Sequence, residues 1–84
     1  SQIILRKAIA EVSRLGYKLQ NVDSTLIAQE PKIGPHINSM KRVLSNSLGV
    51  TEDSIGIKAT TNEGVGDIGK GLAIAAQAAC LLVN

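Results

Sequence analysis

Residues Thr60–Gly71 read TTNEGVGDIGKG, and within this run Gly64, Gly66 and Gly69 reproduce the G-x-G-x-x-G spacing of a dinucleotide-binding turn. Taken at face value, that spacing would make the chain half of a doubly wound sheet. A strand would feed the first glycine, a helix N-terminus would face a pyrophosphate, and an acidic side chain about 20 residues further on would hold the ribose hydroxyls. The chain has no Asp or Glu after Asp67 and ends at Asn84. The ribose partner is missing, so the Rossmann reading is set aside. The four glycines Gly64, Gly66, Gly69 and Gly71 need another reason to share one loop.

Upstream of that loop, SIGIKATT (54–61) alternates Ile55, Ile57 and Ala59 against Gly56, Lys58 and Thr60, the period of a short strand. Downstream, GLAIAAQAACLLVN (71–84) is ambiguous. Its alanines favour helix, whereas its length, glycine-rich entry and closing CLLVN allow a buried strand. Further out, SQIILRKAIAEVSRLG (1–16) places Ile4, Leu5, Ala8, Ile9, Val12 and Leu15 on one helical stripe that Gly16 terminates. YKLQNVDSTLIAQ (17–29) turns to β-branched and apolar residues around Val22, Thr25, Leu26 and Ile27, a strand with one buried face. EPKIGP (30–35) forbids regular structure. Pro35 can then open the helix HINSMKRVLSNSLG (36–49), with Ile37, Met40, Val43 or Leu44, and Leu48 at helical spacing and Gly49 as its stop. The order is that of an α/β or α+β layer. We read it as α+β, a small mixed sheet with helices on one face in the manner of a ferredoxin-like layer. Residues 1–84 are read as part of a single domain, without repeat, low-complexity tract or linker.

Composition narrows the function classes. A chain of 84 residues is one domain or less, and at that size it buries about 60–65% of its unfolded surface. Phe and Trp are absent and Tyr17 is the only aromatic, so the core must be aliphatic and no platform exists for stacking single-stranded bases. A net charge of +2 is too weak and scattered for a nucleic-acid groove. The single Cys80 excludes an intrachain disulfide, points to a reducing compartment and reads as a small buried hydrophobe. No signal-peptide succession opens the chain, and its C-terminal apolar run is too short to span a bilayer. A soluble intracellular chain is expected, with residues upstream of Ser1 left open.

Two loops carry the chemistry, each following an expected strand and each mixing small residues with a charge. In AQEPKIGPH (28–36), Lys32 follows Pro31, so an ammonium and stiffened backbone amides can meet a phosphate. In KATTNEGVGDIGKG (58–71), Thr60 and Thr61 offer hydroxyls and Glu63 a hard carboxylate suited to Mg²⁺.

NVDSTLIAQEPKIGPH (21–36) and IGIKATTNEGVG (55–66) resemble the two signature blocks in the C-terminal half of the 2-C-methyl-D-erythritol 2,4-cyclodiphosphate synthase family. The resemblance runs through essentially the whole chain. It implies a homotrimer with active sites between subunits and a substrate carrying a cytidine diphosphate. The substrate's own 2-phosphate would attack the β-phosphorus, expelling CMP and closing a cyclodiphosphate for isoprenoid precursor synthesis outside the mevalonate route. By the same resemblance, Ala28, Lys32, Ile33, Gly34, Ala59 and Thr60 would line the cytidine pocket. Thr61 would be catalytic, steadying charge on the reacting phosphates, and Lys70 would contact phosphate. Glu63 would complete a Mg²⁺ or Mn²⁺ site at the diphosphate. A Zn²⁺ site belongs to the family's N-terminal half, whose Asp-x-His motif does not occur in these residues. The last segment would be a strand. The implied location is the bacterial cytoplasm, or a plastid stroma in a plastid-bearing eukaryote, with neither nucleic acid nor membrane as a partner.

Two positions depart from the family pattern. Lys70 stands where relatives commonly carry a phosphate-contacting arginine, so a bidentate clamp would be lost. Leu72 replaces an acidic residue near the family's trimer axis, which puts a polar cavity there in doubt. His36, beside Pro35 at a helix start, reads as structural, and Lys41-Arg42 as a solvated helix face. Two other function classes stay open. Gly66-Asp-Ile-Gly69 is also the G-x-x-G of a KH-type RNA-binding module, and the chain could be a non-catalytic subunit of the same fold.

Overall fold

The computed structural model describes residues 1–84 as three helices and three strands. They run α1 (Gln2–Arg14), β1 (Lys18–Ile27), α2 (Ile37–Leu48), β2 (Ile55–Thr60), α3 (Gly66–Gly69) and β3 (Ala75–Val83). The ambiguous C-terminal segment is thus a strand. Alanine's helix propensity is weak beside the ladder that β3 forms along nine positions of β1, from Lys18↔Val83 to Ile27↔Ala75. The four-residue α3 is a single helical turn where the KH-type reading needs an open loop.

Chain reversals follow the expected stops. Gly16 has φ +88° after α1, and Gly49 caps α2 in the left-handed region at φ +69°. Pro35 lies in a short 3₁₀ turn, Gly34–His36, that runs directly into α2. In the last turns of α1, Arg14 Nε donates to Glu11 Oε2 at 2.9 Å. That bond holds the Glu11 carboxyl below the usual carboxylate range and raises Arg14.

The sheet order is β2-β1-β3, with β1 parallel to β2 and antiparallel to β3. A parallel pair needs a crossover, and α2 supplies it. Alternation sends Val22, Ser24 and Leu26 to the face carrying Ile55, Ile57 and Cys80, which α1 and α2 cover through Leu5, Ile9, Val12 and Leu48. The opposite face presents exposed Asp23, Lys58, Gln77 and Ala79. There a Cβ at Gly56 would meet the exposed Asp23 carboxylate on the neighbouring strand, which would have to swing aside to admit it.

The helix face is far less covered than the expected stripe and buried strand face require. Only Ala28, Ser47 and Ile55 are buried. Accessible surface is 5999 Å², against about 4,800 Å² expected for a folded monomer of this mass. The radius of gyration is 14.4 Å, where about 12 Å is the norm for this length. Ile4 and Leu15, both on the expected stripe, are 74% and 58% exposed. Cys80, read as a buried hydrophobe, is exposed. It lies on the edge strand β3, and an apolar gap of about 210 Å³ separates it and Leu82 from the α1 side chains that would cover them.

Candidate functional site

β1 and β2 are parallel neighbours, so their carboxyl ends finish side by side, the place where α/β sheets receive ligands. The Ala28 N–H donates to the Thr60 carbonyl at 3.0 Å, carrying the ladder one residue past β1 before the two loops part. That close pairing buries Ala28, which is 5% exposed. Beyond it, Pro31 follows Glu30 through a cis peptide, and the His36 N–H donates to the Ile33 carbonyl at 2.8 Å to start the turn into α2.

The second loop is tied by its own side chains. The Glu63 N–H donates to Thr61 Oγ1 at 3.3 Å. Asn62 Nδ2 donates to the Val65 carbonyl at 2.8 Å, and the Val65 N–H returns to the Asn62 carbonyl at 3.0 Å. Glu63 has φ +53°, the only non-glycine residue with positive φ, and Gly64 and Gly66 continue at +75° and +69°. The α3 turn then folds Gly69 onto the Gly64 backbone so closely that a Cβ at Gly69 would overlap it. The glycines therefore serve this compact reversal, which answers why four of them share the loop.

Between the loops lies a cleft of about 420 Å³. From the first loop it is lined by Ala28, Lys32, Ile33 and Gly34, and from β2 and its end by Ala59, Thr60 and Thr61. These are seven of the nine expected positions. The other two, Glu63 and Lys70, are exposed on the glycine loop and do not line the cleft. His36 is elsewhere, in a larger apolar groove of about 650 Å³ between α1 and α2 with Ile4, Met40 and Val43. Size alone favours that groove. The smaller cleft is the one where a cation, hydroxyls and strand-end backbone converge.

Sequence reasoning missed Gln29, Glu30 and Pro35 as cleft residues. Gln29 Oε1 accepts from the Gly64 N–H at 3.3 Å, across 35 positions of chain. Its place inside the NVDSTLIAQEPKIGPH block was the available signal.

No three His, Cys, Asp or Glu side chains cluster in a way that could hold a metal ion. A Zn²⁺ site of several protein ligands does not fit these residues. One exposed carboxylate, Glu63, does fit Mg²⁺, which commonly takes one or two carboxylates and completes its shell with phosphate and water. No helix is long and apolar enough to cross a membrane.

Comparison with known proteins extends over the whole chain. The YgbB family model matches residues 1–83. A 2-C-methyl-D-erythritol 2,4-cyclodiphosphate synthase from Burkholderia lata is 47% identical over 84 residues, all of this chain and 52% of the relative. The crystal structure of the Plasmodium vivax synthase of that name superposes with a TM-score of 0.95 at 34% identity, covering 98% of this chain and 55% of the other. The Plasmodium falciparum IspF structure, a CDP complex, gives 0.94 at 35% identity, with 98% and 53% covered. The chain spans about half the length of the curated relatives it matches, corresponding to their C-terminal half.

Proposed function

The chain belongs to the YgbB family, and from that premise we propose that it supplies the cytidine-binding half of a cyclodiphosphate synthase. Together with the other half of the domain, it converts 4-diphosphocytidyl-2-C-methyl-D-erythritol 2-phosphate to 2-C-methyl-D-erythritol 2,4-cyclodiphosphate and CMP, a phosphorus–oxygen lyase reaction. The observation that carries this reading is the convergence of Ala28–Gly34 and Ala59–Thr61 on one cleft at paired strand ends. A relative of the same fold is a CDP complex, which supports a cytidine nucleotide as the occupant.

Within that cleft the chain's work is positioning and charge stabilisation. Backbone groups at the strand ends read the base edge without an aromatic to stack on it. The Lys32 ammonium balances phosphate charge. The Thr61 hydroxyl, at the mouth of the glycine loop, donates to a phosphate oxygen as negative charge builds. Glu63 would hold a divalent ion, Mg²⁺ or Mn²⁺, whose contribution is to neutralise charge passing to the departing CMP. Lys70 would approach the phosphates from the far side of the same loop. Zn²⁺ ligands would come from the other half of the domain.

We assign the working assembly as a homotrimer with sites between subunits. Membership of the family supports that assembly. Bacterial relatives support a cytoplasmic setting.

The test is to titrate the 84-residue chain with CDP and CMP by calorimetry. The chain is then combined with the N-terminal half of a relative, and CMP release from the substrate is followed. Saturable CDP binding and CMP release on recombination are expected. Failure of both, or salt-dependent RNA binding in place of nucleotide binding, would overturn the reading.

A further inference from the structure

Gln29 lies one residue past the last ladder bond of β1 and lines the nucleoside cleft, yet its side chain reaches the other loop. Gln29 Oε1 accepts from the Gly64 N–H at 3.3 Å. Because the partner is a backbone donor, the oxygen of the carboxamide, not its nitrogen, must face it. The Gly64 amide adjoins Glu63, whose own N–H is held by Thr61 Oγ1 on the preceding side. Glu63 at φ +53° is therefore anchored on both flanks, in a conformation that non-glycine residues rarely adopt. The chain returns past the Glu30 stem at Gly71, where a Cβ would lie 3.7 Å from Glu30 Cβ and Cγ.

The Gln29–Gly64 bond ties the two loops beyond the point where the Ala28–Thr60 pairing ends. The cleft holds Ala28, Lys32 and Ile33, while Glu63 stands outside it on the glycine loop. A ligand that uses the cleft alone does not depend on the distance between them. A ligand that places its nucleoside in the cleft and a diphosphate on a cation at Glu63 does. We propose that Gln29 is a positioning residue that fixes the Glu63 backbone relative to the nucleoside cleft, so that the site favours nucleoside diphosphates over monophosphates. The inference rests on the cytidine-nucleotide reading given above. The bond is long and solvent-exposed, so it contributes little to fold stability and acts on the spacing of the loops.

The experiment uses the 84-residue chain recombined with the N-terminal half of a relative, with Gln29→Leu to remove the acceptor at similar length and Gln29→Glu to retain one. CDP and CMP affinities are measured across a Mg²⁺ titration, and Gly64 amide exchange is followed by NMR. Gln29→Leu is expected to weaken CDP binding and raise its Mg²⁺ midpoint by about three- to tenfold, the scale of one exposed hydrogen bond. CMP affinity should fall less than CDP affinity, and the Gly64 amide should exchange faster. Gln29→Glu should restore Gly64 protection. Equal weakening of CDP and CMP, or an unchanged Mg²⁺ midpoint, overturns the proposal while leaving the nucleotide reading intact. If the wild-type chain binds neither nucleotide, the functional reading fails. Gly64 exchange then decides the strap by itself, since equal exchange in wild type and Gln29→Leu refutes it.

Discussion

At the carboxyl ends of β1 and β2 the backbone is tied within a few residues by Thr61, Asn62 and the glycines, whereas on the helix face Ile3, Ile4, Val43 and Leu82 stand exposed to solvent. The first region is short-range. Asn62 meets Val65, Thr61 meets Glu63, and among the loop side chains only Gln29 reaches far along the chain. The second region is apolar surface waiting for something beyond these 84 residues. Loop geometry can therefore be fixed in a chain whose core is not closed, because hydrogen-bonded loops close locally while hydrophobic burial needs other layers.

The largest expected effect breaks that comparison outright. If the cleft were sufficient, the chain by itself would turn over substrate. We expect no CMP release from the 84-residue chain supplied with Zn²⁺, Mg²⁺ and substrate, because positioning of the attacking phosphate, worth about 7–11 kcal/mol, needs groups these residues lack. Turnover at the rate of a complete relative would show that the exposed helix face has no catalytic relevance.

Within a recombined, active assembly, Thr61→Ala isolates the chemistry of the cleft. Loss of a hydroxyl that stabilises developing phosphate charge should lower kcat by about 10²–10³-fold, or about 3–4 kcal/mol, with a much smaller change in KM. A normal kcat at saturating substrate would remove Thr61 from catalysis.

Gly69 and Gly34 compare two glycines of the same site. A Cβ at Gly69 overlaps the Gly64 backbone, while one at Gly34 meets nothing within 4 Å and requires no unusual φ. Gly69→Ala should cost about 1–3 kcal/mol through local distortion and weaken CDP binding with it. Gly34→Ala should be nearly silent in thermal denaturation. Equal effects would mean that the tight reversal does not set the site.

The same division explains what the sequence disclosed. The cleft was legible because the two blocks that resemble the family, AQEPKIGPH and KATTNEGVG, are each contiguous, and parallel pairing of β1 with β2 brings them together. The Gln29–Gly64 tie was not, since a carboxamide crossing between loops leaves no periodic trace. Helical stripes and strand alternation located α1, β1, α2 and β2. They left β3 open, since a run such as AIAAQAACLL satisfies either period, and pairing with β1 is a long-range fact. Cys80 misled for the same reason. An apolar neighbourhood in sequence implies burial only where another layer lies above it, and above β3 that layer stands off.

The smallest effect belongs to the helix face. Arg14 donates to Glu11 in the last turns of α1, remote in sequence from both loops, and the bond holds the Glu11 carboxyl below its ordinary value. A carboxyl whose folded pKa is depressed contributes stability above its unfolded pKa, and that contribution is lost as pH falls through the folded value. Both groups are solvent-exposed and screened, so the contribution is slight. Glu11→Gln should leave CDP affinity and the neutral-pH melting temperature unchanged within error, altering only the acid limb of helix content followed by circular dichroism below about pH 4.5. A clear loss of CDP binding in Glu11→Gln would mean that α1 communicates with the cleft, and the separation of a locally closed site from an open helix face would have to be abandoned.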